Sequence, residues 1–208
     1  MEEEKNINLE QKNQKDSNKS IRKYLFVVWE FVQVIIIAAI IVLPIRYFIF
    51  QPFIVKGDSM VPNFHSGDYL IVDEISYRFS GPSRGDVIVF HYPLDESQRF
   101  IKRVIGLPGE TVEVKEGKIT VIPKDGENVF TLNEKLYLPD LLSTGGDVKI
   151  TLKEDEFFVL GDNRQFSYDS RIWGVMPKKD LIGKAAFRLL PINQFSYIST
   201  PLYEIFNK

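Results

Sequence analysis

The sequence predicts a mainly β protein, in which a single N-terminal transmembrane helix is followed by a β-barrel-like or sandwich-like domain with a small inserted subdomain. Three observations predict this class. One apolar run near the N-terminus is long enough to cross a bilayer, short alternating runs separated by Gly, Pro and Asp fill the remainder, and no convincing helix pattern lies between Pro52 and Pro177. A chain of 208 residues has room for one ordinary domain and an anchor.

Two N-terminal segments differ sharply in composition. Residues 1–24 are predicted to be a disordered tail, because Glu, Lys, Asn, Gln and Ser dominate them. Residues 25–48 are predicted to be the transmembrane helix, because their apolar core matches a hydrocarbon layer of roughly 30 Å at about 1.5 Å per residue. A buried amphipathic helix is the alternative, but Glu30 and Gln33 lie near the N-terminal end, where they can reach the interface.

The charges that flank this helix predict its orientation. Lys19, Arg22 and Lys23 precede it, whereas Arg46 stands alone beyond the apolar core. The positive-inside rule then leaves the N-terminus in the cytoplasm. We therefore expect a single-pass protein of the cell membrane with residues 49–208 outside the cytoplasm.

Residues 49–208 are predicted to form the β-rich domain. Apolar or alternating runs recur at 69–75, 86–92, 99–107, 110–122 and 155–162. The stretch of about 108–155 carries more Lys, Glu and Gly and is interpreted as the inserted subdomain. The aromatic stretch 187–208 is compatible with packing on the domain or with a position near the lipid.

The composition excludes several classes of partner and cofactor. A net charge of -2 leaves no electrostatic footprint for nucleic acid. The absence of cysteine excludes disulfides, thiolate nucleophiles and iron–sulfur ligation, and two histidines cannot build a multi-histidine metal site. The polar run 161–174 does not match an EF-hand calcium loop, since Arg164 occupies a position where that loop needs an acidic residue. No cofactor, metal or nucleic acid is expected.

Three segments carry candidate chemistry. Ser59 lies in GDSMVPNF (57–64), Lys102 lies between apolar neighbours in RFIKRVIGLPGE (99–110), and Ser167 lies in GDNRQFSYDSRIWG (161–174). Each has an ordinary interpretation by itself: a turn serine, a lysine whose amine stays in water, and a solvated loop. Together they are more specific, because a nucleophilic serine needs a base and none of the segments contains histidine.

The candidate base is therefore Lys102. Its pKa must fall about 3 units below about 10.4 for half of it to be neutral near pH 7.4, and burial among apolar side chains can supply such a shift. Ser167 could orient the amine without adding charge. The carboxylates of the third segment are expected to form structural ion pairs with nearby cations, Asp162 with Arg103 and Asp169 with Arg171.

These segments resemble sequence boxes of the bacterial type I signal peptidases, in the smaller Gram-positive-like form with one membrane anchor. The box GDYLIVDEISYRF (67–79) also matches, and all four boxes occur in the family's order. With the anchor ahead of them, the resemblance extends over most of 25–191.

The resemblance implies a mechanism. Ser59 would be the nucleophile of a Ser-Lys dyad, Lys102 its base, and Ser167 the residue that orients the lysine. The backbone N–H of Ser59 would serve the oxyanion hole. Some members add a serine hydroxyl two positions earlier, where this chain has Gly57, so the second donor is open.

The resemblance also implies substrates and partners. These would be exported preproteins, cut after an Ala-x-Ala-type site beside the lipid bilayer, with the protein export channel as a candidate neighbour. One alternative is a related Ser-Lys protease with a narrow duty, such as pilin or conjugation-protein processing. Another is a membrane-tethered β domain that binds exported chains without catalysis.

Overall fold

The computed structural model describes residues 24, 26, 28–43, 50–139, 143–201 and 203, and the chain divides into two compact units, 1–47 and 48–208. The first unit contains helix α1, which is continuous over 28–43 and whose side chains there are exposed apart from half-buried Ala39. No helix among the described residues combines the length and apolarity that a membrane crossing needs. The predicted tail, apart from Tyr24, and the flanking cations of the predicted span lie outside the described residues.

The second unit is built from antiparallel strands. In chain order these are β1 (Phe50–Ile54), β2 (Tyr69–Asp73), β3 (Val87–Tyr92), β4 (Asp95–Gly106), β5 (Thr111–Lys115), β6 (Lys118–Ile122), β7 (Phe130–Thr131), β8 (Val148–Thr151), β9 (Glu156–Leu160), β10 (Met176–Pro177), β11 (Leu181–Leu190) and β12 (Ser196–Tyr197). The larger sheet has the order β1-β2-β11-β3-β4-β9-β10, with β12 paired to β11, and the smaller has the order β7-β6-β5-β8. The mainly β prediction is confirmed.

Strand β4 passes through the middle of the larger sheet, between β3 and β9. Its first residues are exposed, and every residue from Ile101 to Gly106 is buried. Ile101 packs in one apolar cluster with Met60 and Phe64, whereas Val104 packs in another. Because clusters cover both faces, the second half of this strand is buried on both sides. The alternating sequence pattern did not predict this burial.

The smaller sheet shares a core with the larger one. Its strands all fall within 108–155, the range predicted as an insertion. Ile105 and Phe158 of the larger sheet pack in one cluster with Val112 and Val121 of the smaller. Gly106 lies where the sheets meet, since a β-carbon there would come within 2.8 Å of Leu152 Cδ1 and 3.0 Å of Phe158 Cβ.

The expectation that no helix lies between Pro52 and Pro177 is wrong for two single turns, α2 (Ser76–Phe79) and α3 (Ser170–Trp173). Asp73 accepts hydrogen bonds from the N–H groups of Ile75 and Ser76, and Asp169 accepts one from Arg171. Asp169 is the N-cap of α3, whereas Asp73 lies just before α2. A single turn can be held by such local side-chain hydrogen bonds without apolar periodicity, so a search for periodicity misses it. Two short 3-10 helices follow, Lys178–Asp180 and Ile192–Gln194.

Candidate active site

Ser59 lies in the loop that connects β1 to β2. The ends of this loop are joined by hydrogen bonds from Val55 N–H to Asp68 O and from Gly67 N–H to Val55 O, both 2.9 Å. Met60 and Phe64 insert into the apolar cluster below the loop. Ser59 therefore lies in a loop that is closed at its base and anchored in the core directly after this serine.

Lys102 reaches Ser59 from the central strand β4. Its Nζ donates hydrogen bonds to Ser59 Oγ at 2.7 Å and to Ile101 O at 3.0 Å. The residue is only 4% exposed, and the Phe100 ring centroid lies 5.2 Å from the amine. The structure thus brings together the serine and the lysine that the sequence singled out.

The environment of Lys102 disfavours its charged form. Burial lowers its pKa from 10.5 to about 8, against the opposing charges of Asp169 and Asp162. Desolvation outweighs the two carboxylates, because each of them is already bound to an arginine. A substantial fraction of the amine is therefore neutral at mildly alkaline pH.

The two arginine–carboxylate pairs expected from the sequence are present. Arg103 donates to both oxygens of Asp162, at 2.8 and 2.6 Å, and Arg171 donates to both oxygens of Asp169, each at 2.8 Å. The first pair links the loop after β9 to the residue next to Lys102. The second pair is local to that loop, where Asp169 also accepts from the N–H of Gly161 at 3.1 Å.

Ser167 lies beside the pair but is not hydrogen-bonded to it. Its Oγ is buried and has no hydrogen-bond partner within the part of the chain that the structure describes. A β-carbon added at Gly161 would overlap both Ser167 Oγ and the Ser59 carbonyl oxygen, so these three residues converge. The orienting role of Ser167 stays a prediction.

Sequence reasoning missed three residues that hold the site together. Asn163 donates from its backbone to Ser59 O and from its side chain to Asp58 O, each at 3.0 Å. Asn63 donates to Asp162 Oδ2 at 2.8 Å. Glu134, in the loop after β7, binds Arg164 Nη1 and Nη2 at 2.6 and 2.5 Å. Both asparagines lie inside the segments already singled out, whereas nothing in the sequence near Glu134 indicated its partner.

A cavity of about 230 Å³ opens beside the serine, lined by residues that include Phe53, Gly57, Ser59, Phe100, Lys102 and Tyr168. Phe166, at 79% exposure, stands at its rim. No group of three or more metal-ligating side chains occurs within the described ranges. The arrangement can therefore support nucleophilic attack by a serine on a substrate held in this cavity.

The sequence matches the profile of the signal peptidase family, peptidase S26, over residues 28–190. The chain belongs to this family. It is accordingly a serine endopeptidase of the bacterial type I signal peptidase kind, and the non-catalytic alternative is set aside.

Curated signal peptidases match most of the chain. A probable signal peptidase I-1 of Synechocystis is 36% identical over 187 residues, which covers 83% of this chain and 89% of that protein. Signal peptidase I of Bacillus caldolyticus is 36% identical over 170 residues, covering 77% and 91%. Signal peptidase IB of Staphylococcus aureus is 32% identical over 182 residues, covering 83% and 94%.

A solved signal peptidase I from Enterococcus faecalis is 32% identical, with a TM-score of 0.40, and covers 50% of this chain and 95% of that one.

Proposed function

We propose that this signal peptidase is anchored in the cell membrane and removes signal peptides from exported preproteins with Ser59 as nucleophile and Lys102 as base. The observation that carries the proposal is the 2.7 Å hydrogen bond between Lys102 Nζ and Ser59 Oγ, formed by an amine that is 4% exposed. A serine hydroxyl needs a base within hydrogen-bond reach, and burial makes this amine a weaker proton binder.

The reaction follows from this pair. Ser59 Oγ bonds to the scissile carbonyl carbon while its proton passes to Lys102 Nζ, and the carbonyl oxygen becomes an oxyanion. Collapse breaks the C–N bond, and the lysine ammonium returns the proton to the departing amine. The signal peptide is left as an ester on Ser59. Water then attacks that ester with Lys102 again as base, which frees the new carboxylate and the serine.

Two neighbours are proposed to assist. The N–H of Ser59 donates to the oxyanion, and Gly57 offers no side chain for a second bond. Ser167 orients the lysine amine. Its buried hydroxyl, which has no hydrogen-bond partner among the described residues, is a neutral group that can accept a hydrogen bond without raising the lysine pKa as a carboxylate would.

The substrate is proposed to be an extended segment with small side chains before the cut, of the Ala-x-Ala type. Support comes from the position of the cavity, which opens directly beside Ser59 and is lined partly by the apolar rings of Phe53 and Phe100. An extended chain can add as a strand beside an active-site strand, so that backbone hydrogen bonds supply affinity while shallow pockets supply selectivity.

The membrane location is proposed from the first unit. Residues 25–48 would span the bilayer with the N-terminus in the cytoplasm and residues 49–208 outside. The exposed apolar side chains of α1, among them Ile35, Ile37 and Ile40, are compatible with contact to lipid. Ser59 follows this segment by about a dozen residues of sequence.

The test uses the full chain reconstituted in lipid with one preprotein, and sequencing of the new N-terminus. Ser59→Ala and Lys102→Ala are each expected to abolish cleavage, whereas Ser199→Ala and Lys115→Ala, both on the exposed surface, are expected to leave it unchanged. Near-normal activity of Lys102→Ala would overturn the dyad. A panel of preproteins, including a pilin precursor, distinguishes general signal peptide removal from processing restricted to pilins or conjugation proteins.

A further inference from the structure

The peptide unit between Asp58 and Ser59 is held on its carbonyl side. Asp58 O accepts a hydrogen bond from Asn163 Nδ2 at 3.0 Å and another from the N–H of Val61 at 3.2 Å. The second bond belongs to the loop itself. The first comes from a residue far along the chain, in the loop after β9.

A hydrogen bond that fixes Asp58 O also fixes the direction of the Ser59 N–H. The Asp58–Ser59 peptide is trans, so its carbonyl and the N–H of Ser59 lie in one plane and point in opposite directions. Rotation of the plane would move both groups together. A donor that fixes Asp58 O therefore fixes the direction of the Ser59 N–H, which faces away from Asn163.

Asn163 holds the following peptide as well. Its own backbone N–H donates to Ser59 O at 3.0 Å. One residue thus binds the two peptide units on either side of the Ser59 α-carbon. Its loop is itself fixed to strand β4, because the neighbouring Asp162 makes a two-point ion pair with Arg103.

We propose that Asn163 is a positioning residue for the oxyanion hole, in which its side-chain amide sets the direction of the Ser59 N–H. The inference rests on the function proposed above. Gly57 contributes no side-chain donor, so the alignment of this one N–H carries more of the oxyanion stabilisation than it would beside a hydroxyl.

The expected effect is smaller than the loss of a donor. Removing one oxyanion-hole donor costs about 10²–10³ in kcat. Without the Asn163 amide the Ser59 N–H is still present, and the Val61 bond still restrains the peptide. We therefore expect kcat to fall about tenfold or more, with KM nearly unchanged because the oxyanion exists only after attack.

The experiment compares the full-length enzyme with Asn163→Ala and Asn163→Leu in steady-state cleavage of one preprotein. The leucine variant keeps the side-chain volume but has no donor, and both variants keep the backbone bond to Ser59. Asn193→Ala, at an exposed position remote in sequence from the site segments, is the matched control. Each protein is also measured for Tm and for the pH midpoint of kcat/KM.

The proposal expects both Asn163 variants to lose kcat while KM, Tm and the pH midpoint stay at wild-type values. It is overturned if either variant keeps kcat within twofold of wild type. It is also overturned if the loss is matched by a fall in Tm or a moved pH midpoint, since these would indicate unfolding or an effect on the lysine. Wild-type protein that cleaves no preprotein would instead refute the proposed function, and this inference with it.

Discussion

The side-chain nitrogen of Lys102 lies 2.7 Å from Ser59 Oγ, although 43 positions separate the two residues in the chain. The lysine comes from the central strand β4 and the serine from the loop after β1. Because apolar clusters cover both faces of β4 at this point, Lys102 is only 4% exposed. The same packing that builds the core thus lowers the pKa of the proposed base.

The first prediction concerns the pH dependence of cleavage. Burial lowers the pKa of Lys102 to about 8, and only the neutral amine can accept the serine proton. The rate should therefore be low at pH 6, rise through a midpoint near 8 and level off above it. The measurement is kcat/KM from pH 6 to 10. A flat profile, or a midpoint near the ordinary lysine value of 10.5, would argue against a buried lysine base.

The second prediction is that Lys102→Met abolishes cleavage but stabilises the fold near pH 7. The lysine pKa is depressed on folding, so below pH 8 the native state bears the whole cost of the buried charge, about 3 kcal/mol for this shift. Between pH 8 and 10.5 the folded amine has lost its proton while the unfolded amine keeps it, so wild-type stability rises.

Thermal unfolding in detergent at pH 7 and pH 11 tests this difference. Lys102→Met should raise the free energy of unfolding by about 1–3 kcal/mol at pH 7. The increase should be smaller at pH 11, because the lysine amine is then neutral in both the folded and the unfolded state. The exposed Lys118→Met is the control and should change stability by less than about 0.5 kcal/mol. A destabilised Lys102→Met at pH 7 would contradict the assigned cost of the buried amine.

The third prediction is that Asp169→Asn moves the pH midpoint of activity downward. The charge of Asp169 raises the pKa of Lys102 against the larger effect of burial, so removing the charge leaves desolvation less opposed. Arg171, whose positive charge is then no longer neutralised by Asp169, also lowers the pKa of Lys102. The profile of kcat/KM should shift to lower pH even where the maximal rate falls. Asp95→Asn, on the exposed start of β4, should not move it, and an upward shift for Asp169→Asn would exclude this electrostatic account.

The fourth prediction is that Gly161→Ala severely impairs cleavage. An added β-carbon would overlap Ser167 Oγ and Ser59 O and lie 2.5 Å from Ser167 Cβ, so the serine loop and the loop after β9 would have to separate. We expect a loss of at least about 100-fold in kcat/KM, in line with small displacements at catalytic groups. Gly81→Ala, where no atom of the described ranges lies within 4 Å of the new carbon, is the matched control. Equal activity of both variants would mean that the two loops do not need this close approach.

The fifth prediction concerns the ion pair between Arg164, in the loop after β9, and Glu134, in the loop after β7. Arg164 is 1% exposed and donates to Glu134, Thr144 and Gly161 O. Glu134→Gln removes the countercharge of a buried guanidinium, which should lower the free energy of unfolding by about 3 kcal/mol. Denaturant unfolding measures this loss, with Glu113→Gln as control. The Glu113–Lys149 pair is 3.6 Å long and partly exposed, so it should contribute less than about 1 kcal/mol. Similar losses in both variants would show that Arg164 does not depend on Glu134.

Much of the second unit could be predicted from local pattern. The runs at 69–75, 86–92 and 155–162 correspond to β2, β3 and β9, because turn residues bound them and apolar side chains fill them. The one-turn helices were missed, since side-chain hydrogen bonds from Asp73 and Asp169 to nearby backbone N–H groups hold them, rather than apolar periodicity.

The candidate site was only partly predictable. Ser59 and Lys102 stand out because a lysine between apolar neighbours and a serine with no histidine nearby fit one chemistry. Asn163 and Glu134 do not stand out, since their roles depend on which loops meet in space.

The sequence by itself determined the strand-rich class, the apolar N-terminal segment and the three polar segments, because these follow from composition and spacing along the chain. Only the tertiary structure decided that apolar clusters cover both faces of β4 around Lys102 and that Asn163 reaches the peptide before Ser59. A period of two reports which side chains share a face of a strand, whereas strand order and loop packing determine what covers each face. The burial of the Lys102 amine and the direction of the Ser59 N–H both depend on strand order and loop packing, not on the local pattern.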